Sequence, residues 1–561
     1  MALYEKYVGR SRDDFATLAD LEQNYSITAG DDFNFAYDVV DLLGTEEPDK
    51  LAILWVGNDG EERRFTFGEV MRLTNRAANF FRAQGIVKGD KVMLVLKRGY
   101  QFWYALLALH KIGAVVIPAT HLLTPKDIVY RCNAAGVKMV VMTGDGQVAE
   151  AMDEALPECE TVELRAITKR RKDGWLDFDA GVAAASDEWT RPTGAADTKS
   201  TDQSIIFFSS GTTGYPKMVS HDFTYPLGHI LTGCFWHRVE EDGLHFTISD
   251  TGWGKALWGK IYGQWLGGSA VFVYDFEKFD PRDILSKLEK YKVTTFCAPP
   301  TMYRYMIKED LSQYDFSALR HCTTAGEALN PEVYAQWKRQ TGLRIFEGFG
   351  QTETTICCLT VYPWMQPRIG SMGVPAPGYD MIVCDADGNE VGPGVTGEIC
   401  IRAERNSEKR TYGLFSCYYR DEEQTEKSWH DGLYHTGDTA YKDELGFLWY
   451  VGRVDDVIKS SGYRIGPFEV ESALMEHPSV LEAAVTGVPD EDRGFIVKAT
   501  IVLVPGCEGT PELTRELQDH VKKVTAPYKY PRVIEYVDAL PKTISGKIRR
   551  VEIRERDAKK D

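Results

Sequence analysis

Residues 209–217 read S-S-G-T-T-G-Y-P-K, which packs two hydroxylated pairs, two glycines and a lysine into one short run. The apolar residues Ile205, Ile206, Phe207 and Phe208 lead into it and read as a buried strand. Glycine lets a backbone turn tightly and come close to a ligand. Successive N–H groups and hydroxyls make a concavity suited to an anion. Ser209, Ser210, Gly211, Thr212, Thr213 and Gly214 therefore read as a cradle for a polyphosphate, with Lys217 adding a mobile positive charge. A Walker A loop is excluded, because Pro216 precedes the lysine and Met218 follows it. The competing reading is a polar surface turn after a strand.

Five further stretches carry candidate chemistry. Residues 347–354 read E-G-F-G-Q-T-E-T after a predicted strand, and the third glycine of a dinucleotide fingerprint is missing. Here Thr352 can offer a hydroxyl to a phosphate and Glu353 a carboxylate to Mg²⁺, a hard cation that prefers oxygen; a plain helix start capped by Thr352 is the alternative. Gly326 and Glu327 follow another predicted strand, where a glycine permits close backbone approach to a flat ring. Asp438 closes Y-H-T-G-D, a pattern that by itself is most often a turn. Residues 452–465 read G-R-V-D-D-V-I-K-S-S-G-Y-R-I, in which Arg453 can pair with ribose or phosphate oxygens in a forked geometry. Lys547 lies in P-K-T-I-S-G-K-I, residues 541–548, where a lysine would ordinarily be a solvated charge.

In this order the motifs resemble those of the adenylate-forming superfamily, which contains acyl-CoA synthetases, luciferases and peptide-synthetase adenylation domains. The resemblance covers nearly the whole chain. It implies that the 209–217 loop, Gly326, Glu327, Thr352, Asp438 and Arg453 bind ATP. Within that set Thr352 would contact the α-phosphate, adenine would lie against Gly326–Glu327, and Asp438 would accept the ribose hydroxyls. It further implies that Glu353 holds Mg²⁺, that Lys547 is the catalytic lysine and that Asp455 is the hinge. Gly462 would flank the pantetheine of CoA and Arg464 would face a phosphate. Residues 413–419 (G-L-F-S-C-Y-Y), 421–425 (D-E-E-Q-T) and 251–255 (T-G-W-G-K) look most like the medium-chain acyl-CoA synthetases, with Cys417 where a glycine is more usual.

The implied reaction has two steps, with a carboxylic acid, ATP and CoA as the small-molecule partners. The carboxylate attacks the α-phosphorus of ATP to give acyl-AMP and pyrophosphate, and the CoA thiol then takes the acyl group. Acetate-activating relatives carry Trp immediately before Gln-Thr-Glu, where this chain has Gly350. The acid is therefore expected to be larger than acetate: medium-length, branched or aromatic. Gly254 leaves further room, and Trp253, Trp258 and Trp265 are candidate walls, with core packing expected for at least two of them. Rival readings share the first step but use a carrier protein or oxygen afterwards; a ligand-binding relative without catalysis is a third. A peptide-synthetase domain would be followed by a carrier domain, whereas this sequence ends at Asp561.

These residues need a scaffold. From residue 51 to 170 strand-like and helix-like runs alternate: strands at 91–96, 114–118 and 138–143, helices at 100–111 and 124–135. The rhythm returns at 245–347, with strands at 270–274, 293–297, 319–324 and 343–347 and helices at 281–291 and 331–341. This predicts an α/β fold, mostly parallel sheets with helices on their faces. Short strands and turns follow residue 370, and Asp385–Gly388 fits a hairpin turn rather than a calcium loop. The expected organisation is a large unit over 1–452, a hinge at 453–457 and a small mobile α/β unit over 458–561 that carries Lys547.

The chain is 561 residues long with a net charge of −18, too long for one ordinary core and too acidic for general nucleic-acid or anionic-membrane binding. Its eleven cysteines are scattered without a C-x-x-C pair, which suggests neither a disulfide framework nor a zinc site and points to a reducing cytoplasm. The first residues lack an apolar signal core, and no apolar run is long enough to span a bilayer. The residues leave the acid's identity and the oligomeric state open.

Overall fold

The computed structural model describes residues 2–209, 215–361, 363–403, 411–461, 463–542 and 547–559. Ser210, Gly211, Thr212, Thr213, Gly214 and Gly462 lie outside the described residues, as does the side chain of Arg464.

The fold is mixed α/β. Among the described residues the strands form four sheets. One has nine strands, with Leu51–Gly57, Ala270–Asp275, Leu244–Thr247, Thr295–Cys297, His321–Thr324 and Ile345–Gly350 running parallel through its middle. A second has eight strands, built on parallel Gln203–Ser209 (through Val116–Ile205), Val115–Pro118, Lys91–Val95, Val137–Thr143 and Leu164–Thr168. A third is antiparallel and contains Asp380–Cys384, Gly397–Arg402, Leu433–Lys442 and Leu448–Arg453. The fourth is made wholly from residues after Arg453.

The expected βαβ rhythm is present, with element ends shifted by a residue or two. Local chemistry explains where the elements stop. Helix Pro125–Ala135 begins at Thr124, whose hydroxyl accepts from the Asp127 N–H while the Asp127 carboxylate accepts from the Thr124 N–H; Gly136, at φ +71°, ends it. Helix Gln101–Ile112 is buried on every side, which accounts for its continuous apolar sequence. Its one lysine is not wasted. Lys111 Nζ donates to both Asp41 oxygens at 2.6 and 2.7 Å and to Asn75 Oδ1 at 2.5 Å, so the buried charge is paired. No helix among the described residues is long and apolar enough to cross a membrane.

The expected turn at Asp385–Gly388 is found: the Asp385 carboxylate accepts from the Asp387 and Asn389 N–H groups, and Gly388 takes φ +80°. In the fourth sheet, Val480–Asp490 and Gly494–Leu503 form a long antiparallel pair flanked by helices Pro467–Met475 and Pro511–Val524. Leu517 and Val521, one helical turn apart, are the buried residues of the second helix. The charged tail forms helix Arg550–Ala558. Polar contacts tie this part to what precedes it and to the connector. Asn330, which caps helix Pro331–Thr341 through its carbonyl oxygen, gives its amide to Ser472 O and Oγ at 3.4 Å. Asp456 accepts from Arg554 at 2.5 Å.

Candidate active site

Ligands of parallel sheets collect beyond the carboxyl ends of the strands, where strand direction changes. Strand Ile345–Gly350 is such a place: it runs parallel to His321–Thr324 on one side and antiparallel to Ile356–Leu359 on the other. Gln351, Thr352 and Glu353 follow its end. Gly326 follows the end of His321–Thr324, and Trp253–Lys255 come after Leu244–Thr247, one strand further along beyond Thr295–Cys297, so three parallel strands of one sheet deliver their following loops to the same edge.

Asp438 belongs to the antiparallel sheet but reaches the same place. Its Oδ2 accepts from Gln351 Nε2 at 2.5 Å and its Oδ1 from the Tyr450 hydroxyl at 3.2 Å. Arg453, its register partner on the next strand, brings Nε to 3.6 Å from Oδ1. Gln351 is itself fixed, donating to Thr436 O at 2.9 Å and accepting from the Tyr434 hydroxyl at 2.8 Å. Burial raises the Asp438 pKa, opposed by Arg453, Gln351 and Lys547. Burial also works against the Arg453 cation, but Asp438 foremost outweighs it and the pKa rises.

Glu353 is buried, and the Tyr418 hydroxyl donates to its Oε1 at 2.9 Å. The Lys217 ammonium sits 4.9 Å from the centre of the same Tyr418 ring. Burial lowers the Lys217 pKa, and the nearby Glu353 charge opposes that. Lys217 is the register partner of Ser209 in a hairpin of Gln203–Ser209 with Lys217–Asp222, so the described residues hold both feet of the 210–214 loop. His221, on the return strand, joins its Nε2 to Thr352 O at 2.7 Å. Burial brings the His221 pKa down to about 4, so at neutral pH the ring is uncharged and donates from Nε2. That bond fastens the strand of Lys217 to the Thr352–Glu353 turn.

Gly326 has φ +106°, a conformation that L side chains rarely adopt, and the nearest atom to a Cβ there would be Lys255 Nζ at 3.9 Å. Lys255 Nζ donates to Ala325 O at 2.8 Å, and burial lowers its pKa. Glu327 is exposed and accepts from the Thr301 hydroxyl at 3.0 Å. Lys547 comes from the far end of the chain. Its positive charge nevertheless opposes the rise of the Asp438 pKa and adds to the lowering of the Lys255 pKa, so it lies within electrostatic reach of this cluster.

The structure thus brings together Thr352, Glu353, Lys217, Asp438 and Arg453, with Gly326 and Lys547 beside them. Asp455 is exposed, and no described residue bonds its carboxylate; the anchored neighbour is Asp456. The structure bears on three of the pocket candidates. A Cβ on Gly350 would fall 2.2 Å from Thr355 O, so close backbone approach requires a glycine here and a larger side chain does not fit on this backbone. Trp265 is fully buried and donates to Ala52 O at 3.2 Å, which makes it core. Gly254 faces open space, its would-be Cβ meeting only Phe207 Cε1 at 3.9 Å, and Trp253 precedes it at the helix start. Gln351, Tyr418, His221 and Lys255 escaped sequence reasoning as site residues. Gln351 adjoins Thr352 and Lys255 adjoins Gly254, so proximity to a motif was the available signal.

Two family profiles match. The AMP-binding enzyme profile covers residues 43–419, and the AMP-binding enzyme C-terminal domain covers 469–547. Acyl-coenzyme A synthetase ACSM3, mitochondrial, of Homo sapiens is 40% identical over 97% of this chain and 93% of its own length. Acyl-coenzyme A synthetase ACSM5, mitochondrial, of Homo sapiens is 43% identical over 94% of this chain and 90% of its own. Among solved structures, anthranilate CoA ligase AuaEII in complex with anthranoyl-AMP superposes with a TM-score of 0.85 at 28% identity, covering 95% of this chain and 98% of that one. A benzoate CoA ligase from Burkholderia xenovorans LB400 gives 0.80 at 27% identity, covering 93% and 100%. With the first profile spanning the Lys217 and Glu353 motifs and the second reaching Lys547, the chain belongs to the AMP-binding enzyme family.

Proposed function

We propose that the protein is an AMP-forming acid–CoA ligase. The observation that carries this reading is the meeting of Glu353, Lys217, Asp438 and Arg453 with the charge of Lys547 at one strand-end cleft. In the first step a carboxylate oxygen bonds to the α-phosphorus of ATP, and the bond to pyrophosphate breaks. Two anions must meet, so the protein's task is to offset charge and hold the groups in line. Lys217 and the 209–217 loop serve the phosphates, Thr352 the α-phosphate and Lys547 the meeting point. Asp438, held by Gln351 and Tyr450, takes the ribose hydroxyls, while Gly326 lets adenine lie against the backbone and Arg453 adds a ribose or phosphate contact.

Glu353 would hold Mg²⁺. It is a buried carboxylate with one oxygen engaged by the Tyr418 hydroxyl, and a carboxylate oxygen is the donor that a hard cation prefers. When bound, the ion supplies charge neutralisation at the phosphates. In the second step the CoA sulfur bonds to the acyl carbon and AMP leaves. Gly462 and Arg464 are assigned to CoA. Both they and Lys547 belong to the part after the 453–457 connector, so one orientation cannot serve both steps, and rotation at Asp455 is part of the proposal.

The acid is placed in the medium-length, branched or aromatic class. Open space at Gly254 supports this, as do the benzoate and anthranilate ligases among the structural neighbours. The eleven cysteines are free thiols, which fits a reducing aqueous compartment; the ACSM3 and ACSM5 names assign those relatives to mitochondria. The test is pyrophosphate release from ATP with a panel of acids of two to ten carbons, linear, branched and aromatic, with and without CoA. Acid-dependent release, followed by CoA-dependent formation of AMP and thioester, is expected. Release that needs no acid, or no thioester with any member, would contradict the reading.

A further inference from the structure

The strand that carries Asp438 and its neighbour Gly397–Arg402 hold a second group of chemically capable side chains. Glu398 and Cys400 stand two residues apart on strand Gly397–Arg402 and so share a face. His435, on strand Leu433–Lys442, is the register partner of Cys400. His435 Nδ1 lies 3.1 Å from Glu398 Oε2 and 3.5 Å from Cys400 Sγ, and the donor atoms of all three are within 4.8 Å of one another. A tetrahedral zinc ion with ordinary bond lengths sets a nitrogen about 3.4 Å from an oxygen and about 3.6 Å from a sulfur. The two edges that meet at His435 Nδ1 are close to those of such a tetrahedron.

We propose that Glu398, Cys400 and His435 form a binding site for a borderline divalent cation, Zn²⁺ first among them, with the fourth position left to water. The site is preorganised. Glu398 spends Oε1 on the Gly437 N–H at 2.8 Å, which turns Oε2 toward His435, and the Thr436 hydroxyl donates to Ile399 O at 2.7 Å to lock the two strands. Nδ1 is the imidazole atom turned to Glu398 and Cys400 and is the one that would ligate; Nε2, buried and without a hydrogen-bond partner among the described residues, is the other ring nitrogen and leaves Nδ1 as the ligand. There is a way in. Cys400 forms a buried floor, whereas the side chains of His435 and Glu398 keep 14% and 24% exposure, and the exposed His430 ring stacks on His435 at 3.8 Å. The donor set is imidazole, thiolate and one carboxylate, so it selects a softer ion than the Glu353 carboxylate does. Binding displaces the thiol proton to solvent. Sequence spacing could not show this site, because its ligands come from two strands more than thirty positions apart.

The experiment uses the untagged full-length chain, stripped with a chelator and titrated with Co²⁺ in excess Mg²⁺. Thiolate-to-cobalt charge-transfer absorption should saturate at one Co²⁺ per chain and vanish when Zn²⁺ is added. Cys400→Ser should abolish that band while leaving the circular dichroism of the metal-free chain unchanged. Glu398→Gln keeps an acceptor for Gly437 and should weaken Co²⁺ binding by at least about tenfold; it carries the test if Cys400→Ser fails to fold. No band in the wild type, a band that survives in Cys400→Ser, or unchanged affinity in Glu398→Gln would overturn the proposal.

Discussion

Single residues in this cleft are held away from their solution behaviour, chiefly by burial. Glu347 shows it most clearly. Burial pushes its carboxyl up to about 8, and only the Leu329 N–H, at 3.1 Å, favours the ionised form. A carboxyl whose folded pKa is raised stabilises the fold below its unfolded pKa and loses that contribution as pH rises through the folded value. Glu347→Gln, which keeps the acceptor, should therefore gain on the wild type by up to about 1.4 kcal/mol per pH unit between about 4.5 and 8. Thermal unfolding of both proteins at pH 6 and pH 8 reads this; a constant gap would contradict it. Asp438 is raised by burial in the same sense. Its ionised form is needed to accept two ribose hydroxyls, so KM for ATP should climb on acidification at a pH above the ordinary aspartate value of about 3.9. Asp438→Asn should raise KM at least about tenfold and erase that acid limb. An identical pH profile in the variant would remove Asp438 from nucleotide binding.

At the scale of elements, much was legible and the omissions have a physical pattern. Strands such as Lys91–Val95 and Val137–Thr143 were readable because strands buried on both faces are continuous apolar runs. Helix Pro331–Thr341 was readable from Pro331 at its start and Gly342 after its end. Motif residues such as Glu353 and Asp438 were found because their neighbours in sequence form a recognisable pattern. Their partners were not, since Tyr418 meets Glu353 and Gln351 meets Asp438 only through chain folding. Gly350 shows the converse limit: the sequence displays a missing side chain, but only the fold reveals the Thr355 carbonyl lying where a Cβ would go. Two substitutions separate these cases. Gly350→Ala should destabilise the protein by about 1–3 kcal/mol through backbone displacement. Gly254→Leu should leave stability nearly unchanged and lower kcat/KM for larger acids by about fourfold per methylene excluded. The chain-length profile and the melting temperature of each variant are the measurements. An unshifted profile in Gly254→Leu would move the acyl site elsewhere.

At the scale of the whole molecule, the question is how one small C-terminal part serves two reactions. Lys547 lies near Asp438 and Lys255 in this arrangement, as the first step requires. The connector between the two parts folds as a turn, with the Asp456 and Val457 N–H groups both directed at Arg453 O. The Asp455 N–H makes no backbone bond among the described residues, so a proline there removes no hydrogen bond and restricts only rotation. Asp455→Pro should keep one half-reaction and lose the other; full overall turnover in a folded variant would refute the hinge. The most direct test of the central claim is Lys547→Ala assayed in both half-reactions separately. Acid-dependent pyrophosphate release should fall by at least about a hundredfold, while thioester formation from supplied acyl-AMP and CoA should persist near the wild-type rate. Equal loss of both half-reactions, or pyrophosphate release at the wild-type rate, would contradict the account.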